Sequence, residues 1–205
     1  MKIQDRQPKR KEKFYVFSGI EKTLISKNFI DAYYSGVPHV HGEIAPDPTC
    51  MRALNYLLKE LEQKYDVRLV ITSKKRFDPS ECEHYLNLYG LDYHKPIFYT
   101  KYVSGPRGEK IVDFLEEQGA SPLTFHTAPL YVRFLKNFKE NPDFKNYVVL
   151  EGGNRSISKY IPKEQITKID KRRGFSMLEA TEILLKHGIE PSTMNPLAHL
   201  CPDNK

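Results

Sequence analysis

Lys13-Phe14-Tyr15-Val16-Phe17-Ser18-Gly19-Ile20-Glu21-Lys22-Thr23-Leu24 is the stretch on which the reading of this chain turns. Its apolar, aromatic half breaks off at Ser18-Gly19, and a small polar cluster follows. A run of this kind is a strand buried on both faces. In open α/β sheets, ligands bind just beyond the carboxyl ends of such strands. The loop from Ser18 to Thr23 is therefore the first candidate for chemistry.

The same alternation continues downstream. Residues 25–47 are irregular, with Gly36, Pro38, Gly42 and Pro46 among several aromatics, and are expected to form a small flap inserted over the strand end. A helix is predicted from Pro48-Thr49, with Leu54, Leu57, Leu58, Leu61 and Tyr65 on one face. Residues 67–73 read as a second strand ending in Thr72-Ser73. Asp78-Pro79 opens another helix that Gly90 closes. Residues 96–100 make a short third strand, and Gly105-Pro106-Arg107-Gly108 leads into a helix carrying Ile111, Phe114 and Leu115. A further helix is expected over residues 129–139. Tyr147-Val148-Val149-Leu150 is a buried strand ending at Glu151-Gly152-Gly153-Asn154, and residues 166–169 form the last strand. Ser176-Met177-Leu178-Glu179 has the form of a capping box and starts a helix that stops at Gly188. The order predicts an α/β fold: a Rossmann-like parallel sheet with helices on both faces. The expected organisation is a basic arm over residues 1–12, one domain over residues 13–190 and a tail over residues 191–205.

Composition narrows the classes. The 205 residues carry a net charge of +6, part of it in Lys9-Arg10-Lys11 and Lys171-Arg172-Arg173. These runs are compatible with a nucleic acid or another polyanion, but read first as a solvated arm and a charged loop. Three cysteines, Cys50, Cys82 and Cys201, are too scattered for a disulfide framework and suggest a reducing compartment. No apolar stretch approaches membrane-spanning length, and the polar N-terminal residues lack a signal-peptide core. A soluble, cytoplasmic protein with no membrane partner is expected.

With these elements in order, the chain resembles the haloacid dehalogenase (HAD) superfamily, and within it the small phosphatase-like domains associated with RNA-repair proteins. The resemblance runs from about Phe14 to Gly188. Gly19-Ile20-Glu21-Lys22-Thr23-Leu24 stands where the family has D-x-D-G-x-L, and Val70-Ile71-Thr72-Ser73 followed by Arg76 matches its second strand. Arg107-Gly108-Glu109-Lys110-Ile111 matches an R-G-x-E-I helix, Glu151-Gly152-Gly153 replaces paired acids, and Gly174-Phe175-Ser176 stands at the final turn.

The resemblance implies phosphoryl transfer from a phosphate ester to a leading Asp, a second Asp as general acid and base, and magnesium held by these and later acids. This chain departs from that set. Gly19 stands at the nucleophile position with no side chain. Glu21 takes the acid/base position with a longer one, and Lys22 brings a cation. Only Glu151 remains acidic at the late strand end, so Glu21 and Glu151 are the metal candidates. Ser18 maps one place too early to act as nucleophile. The implied protein is a catalytically degenerate HAD-like domain (a pseudophosphatase) that needs no cofactor. It would bind a phosphorylated small molecule, a nucleic acid or a protein partner through the former crevice. The alternative is a diverged phosphoesterase or phosphotransferase that uses Glu21 and Glu151, with magnesium.

What the chain retains is the side that would contact phosphate. Thr72 and Ser73 offer hydroxyls, Arg107 a bidentate guanidinium, and Lys101 or Lys110 a neutralising cation. Backbone amides at Gly152-Gly153 offer an anion turn. His39-Val40-His41 with Glu43, and Cys82 with His84, are incomplete as metal sets and read as ordinary histidines. Gly152-Gly153-Asn154 is no dinucleotide fingerprint. Tyr33 and Tyr34 either stack on bases or pack against the domain.

Overall fold

The computed structural model of the protein describes residues 11–35, 44–73, 78–101, 105–120, 145–153 and 157–192. Five strands form one parallel sheet: β1 (Lys13–Ser18), β2 (Asp66–Ile71), β3 (Phe98–Tyr99), β4 (Tyr147–Glu151) and β5 (Ile166–Lys168). Their order is β3-β2-β1-β4-β5, so the chain builds outward from β1 on one side, then returns and builds outward on the other. Parallel neighbours need long crossovers. Among the described residues, α1 (Lys27–Tyr33) and α2 (Pro48–Glu62) lie between β1 and β2, and α3 (Pro79–Leu88) between β2 and β3. Helix α4 (Arg107–Leu115) precedes β4, and α5 (Met177–Lys186) follows β5.

Alternation along β1 sorts the core into two layers. Phe14 and Val16 face α2, α3 and α5, packing with Leu54, Leu57 and Leu61 of α2 and with Ile183 and Leu184 of α5. Tyr15 and Phe17 face the other way, onto Ile111, Val112, Phe114 and Leu115 of α4. The Phe114 ring meets Tyr15 and Phe17 edge-on, at centroid distances of 5.7 and 5.6 Å. Each such pair adds roughly 0.5–1.5 kcal/mol beyond area burial. The expected parallel sheet with helices on both faces is therefore present.

The expected helix starts also stand. Asp47 and Asp78 cap α2 and α3 ahead of a proline in the first turn, and Ser176 and Glu179 form the reciprocal capping box of α5. Gly188 follows α5 at φ +66.

One element differs from the sequence pattern. The stretch after β1, expected to be irregular, contains the seven-residue helix α1, which buries none of its residues. Tertiary contacts hold it in place of an apolar stripe. The Ser26 hydroxyl accepts from the Phe29 N–H at 3.1 Å. The N–H groups of Lys27 and Asn28 donate to the carbonyls of Lys171 and Arg172 at 3.0 and 2.9 Å. The base of this excursion is closed by Ser26 Oγ, which donates to Asp47 at 2.6 Å. Burial alone would raise the Asp47 carboxyl, but hydrogen bonds from Ser26 and Thr49 hold it below the usual range.

Residues 36–43 of the expected flap, and the helix expected over residues 129–139, lie outside the described residues. The start of the expected tail is docked: Ser192 donates to Glu60 from its N–H at 3.1 Å and from its hydroxyl at 2.6 Å. No helix among the described residues is long and apolar enough to cross a membrane.

His187, at the end of α5, sets its imidazole edge-on to Phe14 at 4.7 Å. Burial, reinforced by Lys186 and Lys64, pushes its pKa down to about 4. The unfolded chain, with an ordinary histidine near 6.5, binds a proton that the folded chain refuses. This contribution is complete above pH ~6.5 and is lost as pH falls towards 4. Urea denaturation at pH 7 and pH 5 should therefore show a smaller loss of stability in His187→Gln than in the wild type. Equal losses would show that His187 does not titrate on unfolding.

Candidate functional site

The strand order reverses between β1 and β4, and a reversal of this kind opens a crevice beyond the carboxyl ends of the two strands. The end of β1 is tied to β2, since the N–H and hydroxyl of Thr72 both donate to the Ser18 carbonyl, at 2.9 and 3.2 Å. Ser18 turns its hydroxyl to the Gly19 carbonyl at 2.9 Å. The loop then folds back on itself: the N–H groups of Leu24 and Ile25 donate to the Ile20 carbonyl at 2.9 and 3.1 Å. Ile20 and Leu24 are buried as its two anchors, while Glu21 and Lys22 are exposed. Lys22 adopts a left-handed backbone, φ 63.

At the centre of the crevice stand Gly19, Arg107 and Glu151. A Cβ on Gly19 would lie 3.2 Å from Arg107 Nη2, 3.4 Å from Thr23 Oγ1 and 3.5 Å from Arg107 Nη1. The guanidinium thus lies where a side chain at position 19 would point. Arg107 Nη1 donates to Glu151 Oε2 at 3.0 Å, and Glu151 Oε1 accepts the Gly153 N–H at 2.7 Å. Both partners are largely withdrawn from solvent, with side-chain exposures of 18% and 9%. A pair held this way resists loss of either member, because the survivor would be a buried, uncompensated charge.

Gly152 explains how the β1 loop reaches β4. A Cβ there would fall 2.2 Å from the Lys22 carbonyl oxygen, so only glycine admits the contact. Gly153 beside it takes φ +136.

The other candidates divide. Thr72 sits beside the crevice, its hydroxyl on the Ser18 carbonyl, and Ser73 follows it just beyond β2. Lys101 is exposed and pairs with Glu117 in the turn that continues α4, a contact that raises its pKa. Lys110 lies in α4, half-buried, with its N–H directed to the Pro106 carbonyl.

Glu21 and Glu151 differ in their surroundings: Glu21 is exposed and Glu151 buried. Glu151 faces α4 through Arg107. Glu21 contributes instead to the charge around Tyr85 of α3, whose phenol is raised first by burial, then by Tyr89, Tyr34, Cys82 and Glu21. Cys82 is buried and His84 exposed, and no group of three metal-ligating side chains occurs among the described residues. His39, His41 and Glu43 lie outside those residues. The tyrosine pair separates too: the Tyr34 hydroxyl accepts the Ala45 N–H at 3.1 Å, whereas Tyr33 is 72% exposed.

Thr23 was not singled out from the sequence. Its side chain is fully buried, and its Oγ1, next to Gly19, has no hydrogen-bond partner among the described residues. The available signal was a hydroxyl set between the loop anchors Ile20 and Leu24.

Chemically, position 19 offers no side-chain nucleophile, and the described residues hold no group of three side chains that could ligate a metal. Both oxygens of Glu151 accept hydrogen bonds already, and Gly19 and Gly152 have no side chains to contribute. Glu151 engages the Arg107 guanidinium at Nη1. Comparison with protein-family models, with curated proteins and with solved structures finds no match.

Gly152→Ala should destabilise the fold by roughly 2–3 kcal/mol in urea denaturation, because the new methyl meets backbone that cannot step aside. Gly19→Ala, whose methyl meets the end of a long side chain, should cost less than about 1 kcal/mol. A reversed order would mean that the Lys22 carbonyl does not rest on Gly152.

Proposed function

We infer that this chain is a catalytically degenerate HAD-like domain, a pseudophosphatase, whose strand-end crevice serves recognition in place of phosphoryl transfer. The observation that carries the reading is the Arg107 guanidinium lying over Gly19 and paired to Glu151. In an active member of that family this volume would belong to a nucleophilic carboxylate, a metal ion and the transferred phosphate. Here a cation from the protein itself takes that place, and the one late acid neutralises it.

The sheet order, with its reversal beside β1, supports the scaffold half of the proposal. The residues present fit magnesium poorly, since Gly19 and Gly152 supply no side-chain ligand and each oxygen of Glu151 already accepts a hydrogen bond. That misfit also speaks against a diverged phosphoesterase built on Glu21 and Glu151. The ligand class that suits the crevice is a phosphorylated small molecule or another phosphate-bearing partner that contacts the Arg107 guanidinium.

The test is turnover of a generic aryl phosphate by the purified full chain in magnesium. No release above the buffer rate is expected, and Glu21→Gln should leave that result unchanged. Release that is abolished by Glu21→Gln would overturn the proposal and restore the enzyme.

A further inference from the structure

Around the mouth of the crevice, three separate loops bring exposed cations to one rim. Lys22 stands on the β1 loop, in contact with Gly152 through its backbone. Lys168 ends β5, in register with Glu151, so the sheet sets it beside the crevice. Lys171, Arg172 and Arg173 follow on the next turn, all exposed. Lys27 opens α1, its own N–H on the Lys171 carbonyl at 3.0 Å.

The turn is a fixed structure. The N–H groups of Arg173 and Gly174 both donate to the Asp170 carbonyl, at 3.0 and 2.7 Å, and the Arg172 N–H donates to the Asp170 carboxylate at 2.9 Å. The Phe175 N–H then donates to the Thr23 carbonyl at 2.8 Å. Gly174, at φ +73, sits so close to α2 that a Cβ would fall 2.4 Å from Cys50 Sγ. The basic residues are thus displayed by a backbone clamped to the β1 loop, α1 and α2.

Six cations meet three exposed acids on this rim, Glu21, Asp31 and Asp170, leaving an excess of 6 − 3 = 3 positive charges among the described residues. Asp170 is already held by Arg173 at 3.4 Å. The same helix carries an aromatic platform. Phe29 and Tyr33 lie ring against ring at 4.8 Å, and Tyr33 is 72% exposed. Lys27 and Tyr33 are six residues apart on one helix, about 9 Å along its axis, a span comparable to one or two nucleotides of extended strand.

We propose that the rim formed by α1 and the turn at residues 170–174 binds single-stranded nucleic acid, with the cations tracking phosphates and Tyr33 stacking on a base. An exposed tyrosine braced from behind by a second ring would be poorly used by a simple polyanion surface. It suits a planar ligand that also carries charge at regular intervals. The rim is independent of the chemistry inside the crevice, so turnover of an aryl phosphate would overturn the pseudophosphatase and leave this surface standing.

The test is fluorescence anisotropy of the full chain with a labelled 20-nucleotide single-stranded oligonucleotide, as DNA and as RNA, across a salt series. Contacts to about five phosphates predict that log K falls with log salt at a slope of roughly −3.5. The double variant Lys171→Glu/Arg172→Glu should weaken binding at least tenfold and flatten that slope. Tyr33→Ala should weaken it about tenfold with the slope unchanged, since it removes stacking and no charge. Circular dichroism of both variants checks that they remain folded; an Arg172→Gln variant serves if the double variant does not. No binding at low salt would overturn the proposal. So would equal binding of duplex, heparin or anionic vesicles with no response to Tyr33→Ala, which would mark a generic polyanion or membrane surface.

Discussion

Strand β1 is paired along both of its edges, to β2 and to β4, and everything else in the molecule is placed by that constraint. Because helices cover this parallel sheet on both sides, a central strand of it is buried on both faces and favours apolar side chains above and below. Its residues Phe14 to Phe17 meet that demand, and the helices sort themselves onto the two layers it defines. The chain can leave this strand only at its ends. Because the sheet grows in opposite directions from β1 and β4, loops from both halves meet beyond their carboxyl ends.

At that meeting point the energetic logic is one of exclusion. A guanidinium and a carboxylate lie side by side where little water reaches them, and each makes the other tolerable. Gly19 leaves space for the guanidinium, and Gly152 lets the Lys22 carbonyl close over the edge. The two glycines act differently. One withholds a side chain from a volume that Arg107 has taken, and the other permits two backbones to touch. Both glycines are thus set by the packing around them, one against a side chain and the other against backbone.

Much of the fold was legible because the strands that mattered were buried on both faces. Tyr147 to Leu150 reads as an unbroken apolar run, and Val67 to Ile71 as one interrupted at Arg68, for the same reason that Phe14 to Phe17 did. The helix starts were legible because Asp47, Asp78 and Ser176 cap through their own side chains, a local interaction that a local pattern reports. Helix α1 was not. Its seven residues bury none of their number, and the carbonyls that satisfy its first turn come from Lys171 and Arg172, more than 140 positions away. The site divides along the same line. That Gly19 lacks a carboxylate is visible in one letter. That Arg107 would lie over it, bound to a glutamate 44 positions on, depends on how α4 is laid across the sheet. The basic run at residues 171–173 was visible as charge, but its rigidity comes from the β1 loop and α2, which only the folded chain brings to it.

The bond between Ser26 and Asp47 has a consequence for how this chain can diverge. The two side chains meet at 2.6 Å, and the Asp47 N–H reaches the Leu24 carbonyl at 2.7 Å, so the excursion between them is sealed at its base. A segment closed this way can lengthen at little thermodynamic cost, about 0.6 kcal/mol for each doubling of a flexible loop. The sheet and both core layers receive the same anchor points whatever is threaded between them. The chain is modular here, and related molecules could carry quite different inserts at this position while sharing the same central strand.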